Sequence, residues 1–125
     1  MLNRVSTSNA PAAIGPYSQA VWAGNFLYLS GMMPIDPATG GLEPADITLQ
    51  ADRIMKNIEA VLTEAGLNQA DVVKTTCFLS DMANFAAFNA VYGEFFTSKP
   101  ARSCVAVREL PKGALVEVEV IAYKG

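Results

Sequence analysis

From Val5 through Ile35 the chain carries no Asp, Glu, Lys or Arg, yet Pro11, Gly15, Pro16, Gly24, Asn25, Gly31 and Pro34 interrupt the run. A membrane-spanning helix needs about 20 predominantly apolar residues without such punctuation. The segment therefore predicts sheet and loop, buried by the protein itself or by another copy of it. Only 17% of the 125 residues are charged and 51% are hydrophobic, against roughly a quarter charged in ordinary soluble domains. The length predicts a single domain over residues 1–125. A monomer of this size with so little charge exposes unusual apolar area, so a homo-oligomer is expected.

The chain contains no histidine, which excludes a His-bearing metal site, a Ser-His-Asp triad and a ribonuclease-type histidine pair. A net charge of −3 argues against an electrostatic surface for nucleic acid. No basic stretch leading into an apolar core marks a secretory signal. Cys77 and Cys104 both lie in strand-like stretches and make no disulfide framework, so a reducing cytosol is the expected compartment.

No internal repeat or long linker divides the chain. Gly24-Asn25 separates two apolar runs as a two-residue hairpin turn does. Residues 34–41 (PIDPATGG) read as a loop. From Asp46 to Ala65, Ala51, Ile54, Met55, Ile58, Val61, Leu62 and Ala65 recur at helical spacing, with Gly66 as the stop. Asp71 through Leu79 is rich in β-branched residues and predicts a strand. Met82 to Phe96 predicts a second helix with Phe85, Phe88, Tyr92, Phe95 and Phe96 on one face, capped by Ser80 or Asp81. Two alternating stretches flank Leu110-Pro111-Lys112-Gly113 and predict an antiparallel C-terminal hairpin. The order is that of an α+β fold, a mostly antiparallel sheet with two helices on one face. A partner subunit is the expected cover for the other face.

In that hairpin, alternation places Arg102, Cys104, Ala106 and Arg108 on one face of the first strand, and Glu117 and Glu119 on one face of the second. Two readings stand. One is a cross-strand Arg102–Glu117 salt bridge on a solvated surface. The other is an arginine that grips a carboxylate beside a glutamate that handles a proton or a water. Cys104 reads as a small buried hydrophobe or as a thiol whose thiolate a guanidinium favours. Tyr17, at the exit of a Gly-Pro turn, either anchors a loop or reaches a pocket. Gly31, after Ser30, permits either a bulge or close approach of a ligand. Asn89 sits among helical aromatics, facing solvent or a crevice.

These pieces coincide in IGPYSQAV, LYLSG, the helix ending AGL, VVKTTCFLSDM, FNAVYGEFF and PARSCVAV…LPKGALVEVEVIA, with a glutamate fifteen positions after the arginine of PARS. From end to end the chain resembles the RidA/YjgF proteins, enamine/imine deaminases formerly labelled endoribonuclease L-PSP. The resemblance implies a chorismate-mutase-like α+β fold assembled as a homotrimer with sites between subunits. It implies hydrolysis of 2-iminopropanoate and 2-iminobutanoate, products of pyridoxal-phosphate-dependent dehydratases, to 2-keto acids and ammonia, with no cofactor and no metal. Arg102 would bind the substrate carboxylate and Glu117 would position or activate water. Tyr17, Ser30, Gly31, Asn89, Ser103 and Cys104 would line the pocket. Met32 departs from the family's usual Gln after Ser-Gly. The rival readings are a non-catalytic regulatory or chaperone-like trimer and an endoribonuclease.

Overall fold

The computed structural model describes all residues from Met1 to Gly125. Its elements in chain order are β1 (Asn3–Val5), β2 (Ala20–Ala23), β3 (Phe26–Met32), α1 (Ile47–Glu64), β4 (Val72–Leu79), α2 (Phe85–Phe95), β5 (Ala101–Ala106) and β6 (Val116–Tyr123). The predicted first helix holds to within a residue because its ends carry their own signals. The Asp46 carboxylate accepts the Leu49 N–H at 3.0 Å. At the other end Gly66, at φ +78°, lets the Gly66 and Leu67 N–H groups close on the Thr63 and Leu62 carbonyls. The second helix begins later than its pattern suggests, since Met82–Asn84 forms a 3₁₀ turn capped by Asp81. The short strand β1 is an element the sequence pattern does not announce.

The six strands form one mixed sheet in the order β1-β2-β3-β6-β4-β5, with β4 and β5 parallel and every other pair antiparallel. The predicted C-terminal hairpin therefore does not form. β5 pairs with the outer side of β4 after the α2 crossover, and β6 crosses to the inner side of β4. Burial decides between these places. Val116, Val118, Val120 and Ala122 of β6 are all essentially inaccessible and fit the centre of the sheet. β5, with Arg102 and exposed Ser103, fits the edge, where a charged residue also discourages further pairing.

Both helices cover one face. A single cluster of 23 buried residues joins that face of the sheet to Ala51, Ile54, Met55, Ile58, Val61 and Leu62 of α1 and to Phe88 and Tyr92 of α2. The opposite face is open and carries Phe26, Tyr28, Val105 and Tyr123, each 41–46% exposed. β3 is bulged on this sheet: Leu29 pairs with Val120 but Met32 with Val118, so Ser30 and Gly31 together face the single residue Glu119. The extra residue restores Met32 to the helix side, where it joins the core. The position that departs from the family pattern is thus a core position.

Buried amides tie the loops to this frame. The Gln50 side chain, fully buried in α1, donates to the Glu43 and Pro44 carbonyls and accepts the Leu115 N–H at 2.9 Å. Asn57 donates to the Met33 and Ile35 carbonyls, and Arg53 lies 3.9 Å from Asp36 and 3.8 Å from Glu43. Gln19 accepts the Thr7 N–H at 2.7 Å and donates to the Thr7 and Pro11 carbonyls. Replacing Gln50 by Leu keeps the volume but strands its backbone partners, so Gln50→Leu is expected to lower stability by about 2–4 kcal/mol. Chemical denaturation measures this, and a loss below roughly 0.5 kcal/mol, the size of an ordinary surface change, would show that the amide does not hold the loops.

Candidate functional site

Glu117 projects from β6 onto the open face, opposite Phe78 of β4. Its carboxyl lies directly over Gly31, so close that a Cβ at Gly31 would sit 2.8 Å from Glu117 Cδ. A side chain at this position would push the Glu117 carboxyl out of its place. Ser30 is fixed beside it: its hydroxyl donates to the Ser18 carbonyl at 2.6 Å and its N–H donates to the Gln19 carbonyl at 3.0 Å. Tyr17, Ser30, Gly31 and Glu117 line one cavity of about 370 Å³ together with Ile14, Met33, Ile35, Pro111 and Lys112. The Gln19 and Asn57 amides hold the segments that form its apolar walls.

Within this chain Glu117 has no ion-pair partner. Burial pushes its carboxyl above the ordinary carboxylate range, and the like charge of Glu119 adds to the effect. Such a group exchanges protons closer to neutrality than a free glutamate does.

Arg102 lies on the helix side of the same sheet, in register with buried Thr75. Its Nη1 donates to Asn89 Oδ1 at 2.6 Å. The guanidinium carbon stands 4.6 Å from the centre of the Tyr92 ring and 5.5 Å from that of Phe85. Tyr92 is itself fixed by a 2.7 Å hydrogen bond between its hydroxyl and that of Thr75. No carboxylate pairs with Arg102. The result is an oriented, unneutralised guanidinium on a second cavity of about 630 Å³ lined by Asn89, Tyr92, Gly93, Phe96, Thr97, Lys99, Pro100 and Arg102. Planar carboxylates suit the donors that remain on it.

The cross-strand Arg102–Glu117 pair expected of a hairpin is therefore not made. β4 lies between their strands, and the two side chains leave opposite faces of the sheet. The structure brings Tyr17, Ser30 and Gly31 to Glu117, and Asn89 to Arg102. Ser103 points away from Arg102 and accepts a hydrogen bond from Lys74 Nζ at 3.2 Å. Cys104 shares the Arg102 face and sits beside Cys77. Burial raises its thiol and outweighs the lowering by Arg102, so Cys104 is a thiol rather than the thiolate that a guanidinium alone would favour.

Phe85 and Tyr92, which the helical pattern assigns to the core, also serve the site. Their spacing with Asn89, four and then three residues apart, places all three on one helical stripe under the guanidinium. The buried amides carried a signal as well. Gln50 and Asn57 fall on the stripe of Ile54 and Val61, and a polar residue on an apolar stripe is a buried polar group that needs partners.

Comparison with known proteins identifies the family and the fold. The family model described as Endoribonuclease L-PSP matches residues 7–124. A RutC family protein of Pyrococcus horikoshii is 52% identical over 121 residues, covering 96% of each chain. The 2-iminobutanoate/2-iminopropanoate deaminase of Escherichia coli K12 is 47% identical over 128 residues, covering 99% of each. The crystal structure of the Escherichia coli YjgF gene product superposes with a TM-score of 0.93 at 46% identity, over 98% of this chain and 99% of that one. Matched from end to end in both sequence and fold, the chain belongs to the endoribonuclease L-PSP family, the RidA/YjgF proteins.

Proposed function

We propose that this protein is a cytoplasmic 2-imino acid deaminase that hydrolyses 2-iminopropanoate and 2-iminobutanoate in clefts shared between the subunits of a homotrimer. The observation that carries the reading is the separation of Arg102 from Glu117. One chain holds an anion site without a proton-transfer group on one face, and a proton-transfer group without a cation partner on the other. A neighbouring copy brought against the open apolar face supplies the missing half, and a cyclic trimer does so three times with one kind of contact. The name of the Escherichia coli relative, 47% identical, supports the substrate class.

The chemistry needs little beyond these groups. In the proposed cleft, Arg102 grips the substrate carboxylate in bidentate fashion, with Asn89 and the Tyr92 ring holding its plane. That grip sets the imine carbon against the face from which water attacks. Glu117 of the adjoining copy, ionised, takes a proton as a water oxygen bonds to the imine carbon and the C=N double bond becomes single. The resulting carbinolamine collapses: the protonated Glu117 returns its proton to nitrogen, the freed carboxylate takes the carbinolamine O–H proton as the C=O bond forms, and the C–N bond breaks to release ammonia and the 2-keto acid. Tyr17, Ser30 and Gly31 line the water side of this cleft, and Cys104 the carboxylate side. Pyridoxal-phosphate-dependent dehydratases would supply the imines. A purely binding trimer would gain nothing from Glu117, since a carboxylate beside an anion site weakens the anion's binding. An RNA-cleaving reading lacks a basic surface, with nine basic against twelve acidic residues.

The roles separate under mutation. Arg102→Ala is expected to lose both binding of a 2-keto acid and imine hydrolysis. Glu117→Gln is expected to bind the keto acid at least as well as the parent, while turnover falls by roughly 10²–10⁴-fold. Calorimetry with 2-oxobutanoate, beside an assay in which a dehydratase generates the imine, reads both. Near-normal turnover in Glu117→Gln would restore the binding-only reading.

The pH profile offers an independent check on Glu117. Its base form is lost as pH falls through its pKa, which the charge of Glu119 raises. Glu119→Gln is therefore expected to move the acidic limb of kcat/KM to lower pH. A limb that stays in place or moves upward would mean that another group controls it.

A further inference from the structure

Cys77 and Cys104 are free thiols that the proposed mechanism leaves chemically unused. They are register partners in the parallel β4–β5 ladder and so point to the same face. Neighbouring strands lie about 4.8 Å apart, inside the roughly 4.4–6.8 Å range of Cα separations that a disulfide spans. The Cys77 thiol donates to Thr75 Oγ1 at 3.9 Å. Cys77 is fully buried, whereas Cys104 is partly accessible on the Arg102 face. An oxidant from solvent therefore meets Cys104 first. Its thiolate, when it forms, has the Arg102 charge to stabilise it.

We propose that Cys77 and Cys104 are a redox pair that hydroperoxides close into a reversible disulfide, with Cys104 attacking and Cys77 resolving. In the first step the Cys104 sulfur bonds to one peroxide oxygen, the O–O bond breaks, and the departing hydroxide takes up a proton as water. Cys104 becomes a sulfenic acid, and the peroxide receives two electrons from sulfur. In the second step the Cys77 sulfur displaces the sulfenic hydroxyl, the S–S bond forms, and that hydroxyl leaves with the Cys77 proton as a second water. A resolving thiol one strand away intercepts the sulfenic acid before further oxidation to the irreversible sulfinic acid. Burial raises both thiols, Cys77 to about 12, so closure is slow at neutral pH and quickens as pH rises. The bond ties edge strand β5 to β4. The pair stands on its own geometry, whatever reaction the cleft performs.

The test is hydrogen peroxide treatment of the full chain in thiol-free buffer, followed by intact-mass measurement and peptide mapping without reduction. The expected product is lighter by a pair of hydrogen atoms, has no titratable thiol, and yields a cross-linked peptide joining Cys77 to Cys104. Dithiothreitol restores the starting mass. Cys77→Val, which keeps a small apolar residue in the core strand, is expected to accumulate a sulfinic acid at Cys104 that dithiothreitol does not reverse. The proposal is overturned if the parent and Cys77→Val accumulate sulfinic acid at the same rate, if the parent's mass does not change, or if the cross-link joins Cys104 residues of different chains.

Discussion

The placement of β6 between β3 and β4 is the constraint from which the rest of the molecule follows. Its inner residues, Val116, Val118, Val120 and Ala122, form the floor on which the helices pack. Each buried aliphatic side chain of this kind contributes about 1.5–3 kcal/mol relative to exposure, so the strand cannot move to an edge without losing several such contributions. With β6 in the centre, its alternate residues Glu117 and Glu119 emerge on the open face. β4 and β5 lie beyond it, and Arg102 turns to the helix side. The separation of the two charges is thus a consequence of how the core is built.

That separation leaves each charge in an unsatisfied state. Glu117 is half-buried against Gly31 and near a like charge, which favours its neutral form. Arg102 has an amide and aromatic faces for company but no anion. A structure selected for stability alone would pair them, as surface arginines and glutamates commonly pair. Their isolation keeps the guanidinium free for a ligand carboxylate and keeps the glutamate in a proton-exchanging range. In the proposed trimer, a second copy against the open face would cover Phe26, Tyr28 and Tyr123 and set the two opposite charges across one cleft.

Much of this was legible from residue order. The three- and four-residue spacing in α1, the stop at Gly66, the Gly24-Asn25 turn and the β-branched run of β4 each reflect a local preference, and each lies where the sequence places it. The two-helices-on-one-face architecture followed from the same patterns. The C-terminal hairpin failed because alternation tells which face a residue takes but not which strand lies beside it. Neighbours in sequence are usually neighbours in the sheet, and here the α2 crossover and β6 insertion override that tendency. The candidate residues were named by type and motif. Their division into two groups needed the topology; Gln50 and Asn57 were marked by their place on an apolar stripe, but the loop carbonyls they hold needed the packing.

Subunit complementation tests the central claim, that Arg102 and Glu117 act together only across copies of the chain. Arg102→Ala and Glu117→Gln, each inactive alone, are unfolded, mixed in equal amounts and refolded together, and imine hydrolysis is measured. If each cleft takes its arginine from one copy and its glutamate from the next, about a quarter of the clefts in randomly assembled rings are intact. Activity should then return to about a quarter of the parent level. No activity in mixed assemblies that refold and associate as well as the parent would contradict the account.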